Sequence, residues 1–316
     1  MEKPVFIING FLDSGKTTFI KETLRDPQFL SGGKLLIIQC EEGEEELDEV
    51  ALSKLGVSII TVEEQSQLTG EFLNGLELYY NPNMILIEMN GMWNMDEMME
   101  LDYPDEWVPS QIISLVDGST IQGYLTNMKK MILDLVRYSD IIIVNRCDDN
   151  TDKTFIRRSI KPVNRKAQLI YERADGKDPG PDEVELPYDM NSDYLEITDD
   201  DYGIFYMDCM DNPKNYEGKT VHFLGMLYFS SKFPKGYCVP GRMAMTCCVQ
   251  DIAFIGMLTK VPAVVDASLL KNRGWVYVTA TVKVEYQREY KGKGPVLYAT
   301  RFEAAEEPAE KTVYFT

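Results

Sequence analysis

Gly10, Gly15, Lys16 and Thr17 stand at the spacing of the phosphate-binding pattern G-x-x-x-x-G-K-[ST], directly after the apolar run Val5-Phe6-Ile7-Ile8. Two glycines let the backbone curl so that successive N–H groups face one anion. A lysine at the start of the following helix reaches the outer phosphates, and the next hydroxyl is placed to ligate Mg2+. The implied chemistry is capture of a nucleoside triphosphate, with Gly10, Asp13, Ser14, Gly15, Lys16, Thr17 and Thr18 as the lining. Asp13 is the discordant member, because a carboxylate beside phosphates repels them unless a cation lies between.

Two further apolar runs end in side chains that such a site needs. Glu88-Met89-Asn90-Gly91 follows Met84-Ile85-Leu86-Ile87, where a carboxylate would complete a Mg2+ shell and a glycine would meet the terminal phosphate. Taken alone, the same residues also suit a solvated loop. Asn145-Arg146-Cys147-Asp148 ends the run from Ile141 and stands where a guanine-reading N-K-x-D is expected. A carboxylate at Asp148 accepts from both N1–H and the exocyclic amine of guanine, and adenine has no such pair of donors. Arg146 in place of Lys keeps a cation beside the base but changes its shape. Asp148 or Asp149 also suits a helix N-cap.

Together these motifs resemble the CobW-like metal-chaperone GTPases, relatives of the hydrogenase and urease nickel-insertion GTPases, over roughly residues 4–171. Pro162-Val163-Asn164-Arg165-Lys166-Ala167-Gln168-Leu169-Ile170 is similar to the family's next helix-to-strand step. Cys40-Glu41-Glu42-Gly43-Glu44-Glu45-Glu46-Leu47-Asp48 follows its N-E-x-G-E-x-x-x-D, with Cys for Asn. The resemblance implies a first switch segment here, with Asp48 joining Lys16, Thr17 and Glu88 as the catalytic and Mg2+ set. It also implies that Cys40, Glu41 and Glu44 could face a transition metal awaiting delivery; an acidic surface loop is the competing reading. The family's C-x-C-C motif is missing, since Thr61-Val62-Glu63-Glu64-Gln65-Ser66 stands in its place.

By that resemblance the chain is a GTPase, slow alone, that uses GTP, Mg2+ and Zn2+ or another transition metal. Its implied partners are a second copy in a nucleotide-dependent homodimer and a permease or metalloprotein client. The alternative is a non-enzymatic module that GTP switches and that recruits a permease or another protein, a reading the loss of C-x-C-C favours.

The second cluster able to do chemistry is Arg242, Cys247, Cys248 and Asp251. Adjacent cysteines on a strand point to opposite faces, so both reach one transition metal only where the strand ends or bulges. Two small buried apolar side chains are the other reading. Tyr216-Glu217-Gly218-Lys219-Thr220-Val221, Leu224-Gly225-Met226-Leu227-Tyr228, the cysteine pair and Trp275-Val276-Tyr277-Val278 resemble, in order, the soluble C-terminal domain of YcgQ-like permease-associated proteins over roughly 194–304. That likeness implies an association with metal transport. His222 alternates with Val221 and Phe223 and is expected in solvent. Met89, Met92, Met95, Met98 and Met99 have helical spacing, which favours packing over Cu(I) binding.

The elements that must position these groups follow from patterning. Apolar runs at 5–8, 35–38, 57–61, 84–88, 112–116, 141–145 and 168–170 alternate with amphipathic stretches, one helix being expected over 121–138. This predicts a P-loop α/β domain, with a mostly parallel sheet, over residues 1–171. Residues 172–211 hold fourteen acidic residues against Arg173 and Lys177, which predicts a solvated acidic linker. Period-two runs at 220–229, 243–248, 252–258, 275–286 and 296–302 predict a small OB-like β-barrel over 212–316.

The remaining composition sets bounds. A net charge of −19 argues against nucleic acid, which needs clustered cations. One histidine among 316 residues excludes multi-histidine metal sites, and six cysteines without an apolar leader suit reduced thiols or metal ligands. No apolar run reaches membrane-spanning length, and a soluble cytoplasmic protein is expected.

Overall fold

The computed structural model describes every residue except 1, 31, 42, 44, 181–185, 248 and 316. The chain divides into two compact units, Met1–Asp182 and Glu183–Thr316.

In the first unit the seven expected runs become β1 (Lys3–Asn9), β2 (Leu35–Gln39), β3 (Val57–Thr61), β4 (Met84–Glu88), β5 (Trp107–Asp117), β6 (Ile141–Cys147) and β7 (Gln168–Arg173). They form one sheet in the order β3-β2-β4-β1-β5-β6-β7, and every neighbouring pair is parallel. Strands covered on both faces must be apolar at successive positions, and Leu35 to Ile38 are all buried. Alternate side chains feed two cores, one around Val5, Ile7, Leu36, Ile38, Ile85 and Ile87, the other around Ile8, Leu35, Ile37 and Leu86. Met89, Met95 and Met98 fill the first of these, while Met92 and Met99 are exposed. Packing therefore accounts for three of the five methionines.

Parallel order puts the carboxyl ends of β1, β2, β4, β5 and β6 on one edge of the sheet, where ligands of such sheets bind. In register there, Gln39 and Ile8 flank Glu88, and Asp117 lies opposite Asn145. The expected helix over 121–138 is instead two helices, Ile121–Asn127 and Lys129–Val136. The side chains of Thr126 and Asn127 bond back to the carbonyls of Gln122 and Gly123, at 2.7 and 2.9 Å. Such bonds compete with helix continuation, and Met128 turns out at φ −135°, ψ 38°.

The second unit contains β8 (Tyr194–Glu196), β9 (Thr220–Tyr228), β10 (Tyr237–Ala244), β11 (Ala253–Gly256), β12 (Thr259–Lys260), β13 (Trp275–Gln287), β14 (Gly292–Ala304) and β15 (Thr312–Val313). β14, β13 and β9 make long antiparallel ladders, and β12 runs parallel to β14. The expected OB-like barrel is met by a mixed sheet, not by a continuous closed wall among the described residues. The physical reason is that β12 contributes only Thr259 and Lys260 between β10 and β14, and β9 meets β10 over three residue pairs.

The expected acidic linker over 172–211 is corrected at its C-terminal part. Residues Tyr202–Asp211 form a helix whose Tyr202, Phe205 and Cys209 are buried in the second unit's core beside Leu195, Phe223 and Val278. Charge dominates the composition of the segment, but Tyr202 and Phe205 bury. Arg242, wholly buried, gathers three parts of this unit. It pairs with Asp199, donates to the Glu310 carbonyl at 2.9 Å, and lies 5.3 Å from the Trp275 ring centre.

Candidate functional site

β1 ends at Asn9, and the chain then curls through Gly10–Gly15 before the helix Lys16–Leu24 begins. Gly15 has φ 95°, in the left-handed region that favours glycine, and a Cβ there would stand 2.8 Å from Asn145 Nδ2. Asp13 also lies at positive φ, with its side chain exposed, so its carboxylate is not forced into the cradle.

Lys16 and Thr17, first in the helix, are both buried. The Lys16 ammonium donates to the carbonyls of Gly10 (2.7 Å) and Phe11 (2.9 Å) and to Glu41 Oε2 (2.5 Å). Thr17 Oγ1 donates to Glu88 Oε1 at 2.6 Å, and Gln39 Nε2 donates to Glu88 Oε2 at 3.1 Å. Burial pushes the Glu88 carboxyl above the ordinary range, against the pull of Thr17 and Lys16. Gly91 packs on the loop so tightly that a Cβ would come 2.3 Å from the Gly10 carbonyl oxygen.

The end of β6 is stitched to the same loop. Asn145 Nδ2 donates to the Ser14 carbonyl and Arg146 Nη1 to the Asp13 carbonyl, each at 2.7 Å. Asp117, which the sequence reading passed over, holds Arg146 at 2.5 Å and accepts from the backbone and hydroxyl of Ser119. The bonds from Ser119 and Arg146 outweigh desolvation, the largest single influence, and hold its carboxyl below the usual range. Asp117 ends a strand on the same sheet edge as Glu88 and Asn145, and that shared placement was the signal available. Asp148 is exposed and accepts from the Asn150 backbone at 2.8 Å, a bond that lowers its pKa.

A cavity of about 220 Å³ is lined by Asp13, Lys16, Thr17, Glu41, Glu88 and Arg146 among others, while Asn145 and Asp148 lie outside its lining. Two buried polar atoms of the loop and of the β6 end, Ser14 Oγ and Asn145 Oδ1, have no hydrogen-bond partner. Buried polar atoms without partners are costly, and both belong to the loop and the strand end that meet at Gly15. The arrangement can hold a polyanion over Lys16 and a hard divalent cation beside the Thr17 hydroxyl and the Glu88 carboxylate.

Several expected residues lie elsewhere. Asp48 caps the helix Glu49–Ser53, accepting from Ala51 N at 2.9 Å, and does not line the cavity. A carboxylate at a helix start is drawn to the N–H groups that lack intrahelical partners. Glu41 lines the cavity in its place. Cys40 and Glu41, expected to face a transition metal, belong to no metal-binding group among the described residues. Cys40 is sunk in the hydrophobic core, where burial and then the charges of Glu88 and Glu41 push its thiol up to about 12, while Glu41 is paired to Lys16. Glu44 lies outside the described residues.

In the second unit Asp251 accepts from the backbone N–H groups of Thr246 (3.2 Å) and Cys247 (2.7 Å), the geometry of a turn brace. Cys248 lies outside the described residues. Among the described residues no three His, Cys, Asp or Glu side chains gather in a metal-binding group. His222 is not solvated as expected: its ring stacks on Tyr277 with centres 5.4 Å apart, and Nδ1 meets Thr279 Oγ1 at 2.9 Å.

Residues 4–171 match the family described as CobW/HypB/UreG, nucleotide-binding domain, and residues 181–315 match the DUF1980 C-terminal domain. UPF0703 protein YcgQ of Bacillus subtilis (strain 168) is 26% identical over 120 residues, which are 38% of this chain and 41% of that protein. The match thus spans less than half the length of that curated relative. A Zn(II)-bound triple mutant of the YjiA GTPase is similar with TM-score 0.43 and 19% identity, over 57% of this chain and 60% of that one. The hydrogenase maturation factor HypB from Archaeoglobus fulgidus gives TM-score 0.42 and 17% identity, over 55% of this chain and 84% of that one.

Proposed function

We propose, for a chain that belongs through residues 4–171 to the CobW/HypB/UreG nucleotide-binding family, that it binds GTP with Mg2+ and hydrolyses it slowly. In this reading the nucleotide state governs the handling of a transition metal or the docking of a partner through the second unit. The observation that carries it is convergence: the Lys16, Asn145 and Arg146 bonds meet the Gly10–Gly15 loop, and the Thr17–Glu88 pair meets the helix start directly after it.

The Gly10–Gly15 turn offers backbone N–H groups to the phosphates, and Lys16 neutralises their outer charge. Thr17 Oγ1 and Glu88 would hold Mg2+, which when bound screens the phosphate charge as a Lewis acid. Glu88 must be ionised for this, and the raised pKa of the buried carboxyl falls again beside a dication. Asn145 fixes the base-reading strand end to the loop, Arg146 flanks the base, and the Asp148 carboxylate selects guanine by its two adjacent donors. Gly91, pressed against Gly10, would report the terminal phosphate to the segment after β4.

Calorimetry with GTP and ATP in Mg2+ tests this reading. The wild type is expected to prefer GTP, and Asp148→Asn to erase most of the preference; equal affinity for both nucleotides in the wild type removes the guanine assignment. A second reading, a GTP-switched binding module without turnover, is favoured by a specific observation. Three of the four carboxylates lining the cavity are already engaged, Glu41 with Lys16, Glu45 with Lys21, and Glu88 with Thr17 and Gln39. Phosphate release at saturating GTP, with and without Zn2+, separates the two, because only the enzyme reading predicts turnover.

A further inference from the structure

An ammonium group has three N–H donors, and Lys16 has three acceptors: Gly10 O, Phe11 O and Glu41 Oε2. No donor remains for a phosphate. Two of the acceptors are carbonyls of the loop itself, and the Gly10 carbonyl is wedged against Gly91. The third belongs to a side chain that can rotate away. Glu41 is also an anion, 11% exposed, in the cavity that Lys16, Thr17 and Glu88 line.

We propose that Glu41 stands in for a phosphate oxygen on Lys16 in the nucleotide-free chain, so that nucleotide uptake is an exchange of one anion for another and Glu41 sets its affinity. The inference rests on the triphosphate-binding reading above and adds to it a residue that opposes binding. Without Glu41 the buried Lys16 ammonium would keep only neutral carbonyls as hydrogen-bond partners, with Glu88 acting on it through space, which leaves it undercompensated. With nucleotide present, the phosphates supply that compensation and Glu41 becomes the surplus charge.

The exchange has a direction. Cys40 is fixed, its N–H donating to the Glu88 carbonyl at 2.8 Å, so the Glu41 side chain leaves by turning about an anchored neighbour. Remaining in place would set its carboxylate beside both Glu88 and the phosphates, a like-charge cluster that only a cation or departure relieves. Nucleotide uptake is thereby transmitted to Glu41, two residues beyond the end of β2 and at the start of the acidic segment that Glu45 ties to Lys21.

The test uses the full chain with Mg2+ held constant. GTP affinity is measured by calorimetry for the wild type, Glu41→Gln and Glu41→Ala, with thermal melting of each nucleotide-free chain. Removing the competing carboxylate is expected to tighten GTP binding about tenfold, graded from Gln to Ala, because a charge-assisted bond no longer has to be broken. The nucleotide-free melting temperature is expected to fall in both variants. A residue with a merely structural role would lower affinity and melting temperature together. Affinity unchanged or weakened in both variants, with wild-type binding intact, overturns the exchange alone. Absence of GTP binding by the wild type overturns the triphosphate reading and the exchange with it.

Discussion

Gly91→Ala is expected to damage nucleotide binding at a position where no side chain touches the ligand. A Cβ at this position would stand 2.3 Å from Gly10 O, 2.6 Å from Gly10 C and 2.8 Å from Phe11 Cα. All three neighbours are backbone, so no rotamer change relieves the clash. Restoring ordinary contact requires the loop or the segment after β4 to retreat by about 1 Å. The Gly10 carbonyl also accepts from Lys16, and the retreat therefore drags the phosphate-binding ammonium with it. Overpacking of this kind costs about 1–3 kcal/mol of stability. Misplacing binding groups by about 1 Å is expected to weaken GTP binding by about 30- to 100-fold. Calorimetry and thermal denaturation read the two effects. Gly75→Ala is the matched control, in an exposed helical position with no atom within 4 Å of the added carbon, where it should add about 0.5–1 kcal/mol of stability and leave binding alone. Wild-type affinity and stability in Gly91→Ala would refute the reasoning.

Three further outcomes are expected. Asp199→Ala leaves the wholly buried Arg242 guanidinium without its ion-pair partner while the Glu310 carbonyl still accepts from it, and should destabilise the second unit by about 3 kcal/mol in denaturant titration. The Mg2+-dependent part of GTP affinity should fall as pH drops through the raised pKa of Glu88, above the ordinary carboxyl range, because a proton then displaces the cation. In the cation-free chain the sign reverses: Glu88 favours folding below its ordinary pKa, and that contribution is lost as pH rises through the raised value. Cys40 and Cys238, both buried with thiols pushed to about 12, should stay unreactive to a thiol reagent at neutral pH until the chain unfolds.

The first unit's sheet was legible in the sequence because strands buried on both faces must be continuous apolar runs, and such runs recur where Ile7, Ile37, Ile87 and Ile143 lie. The phosphate loop was legible because its glycines and lysine answer to a geometry that few other residues permit. Asp48 was misplaced because spacing shows that a carboxylate is present but not whether a helix start claims it. β10 was expected at 243–248 but runs from Tyr237 to Ala244. Pro240 and Gly241 read locally as breakers, yet Gly241 is required where a Cβ would stand 2.1 Å from the Ile255 carbonyl. The helix Tyr202–Asp211 was hidden by its acidic surroundings, since net charge masks the few aromatic side chains that decide burial. The Lys16–Glu41 pair joins positions 25 residues apart, a relation of tertiary structure that no local pattern carries.

The central claim is that Lys16 and its loop hold the phosphates of a guanine nucleotide. Fluorescence anisotropy with a labelled GTP, in Mg2+, compares the wild type with Lys16→Ala most directly. The account predicts saturable binding by the wild type that unlabelled GTP displaces, and a loss of about 100-fold or more in the variant. Binding that survives the loss of Lys16 undiminished, or a folded wild type that takes up no nucleotide, would contradict it.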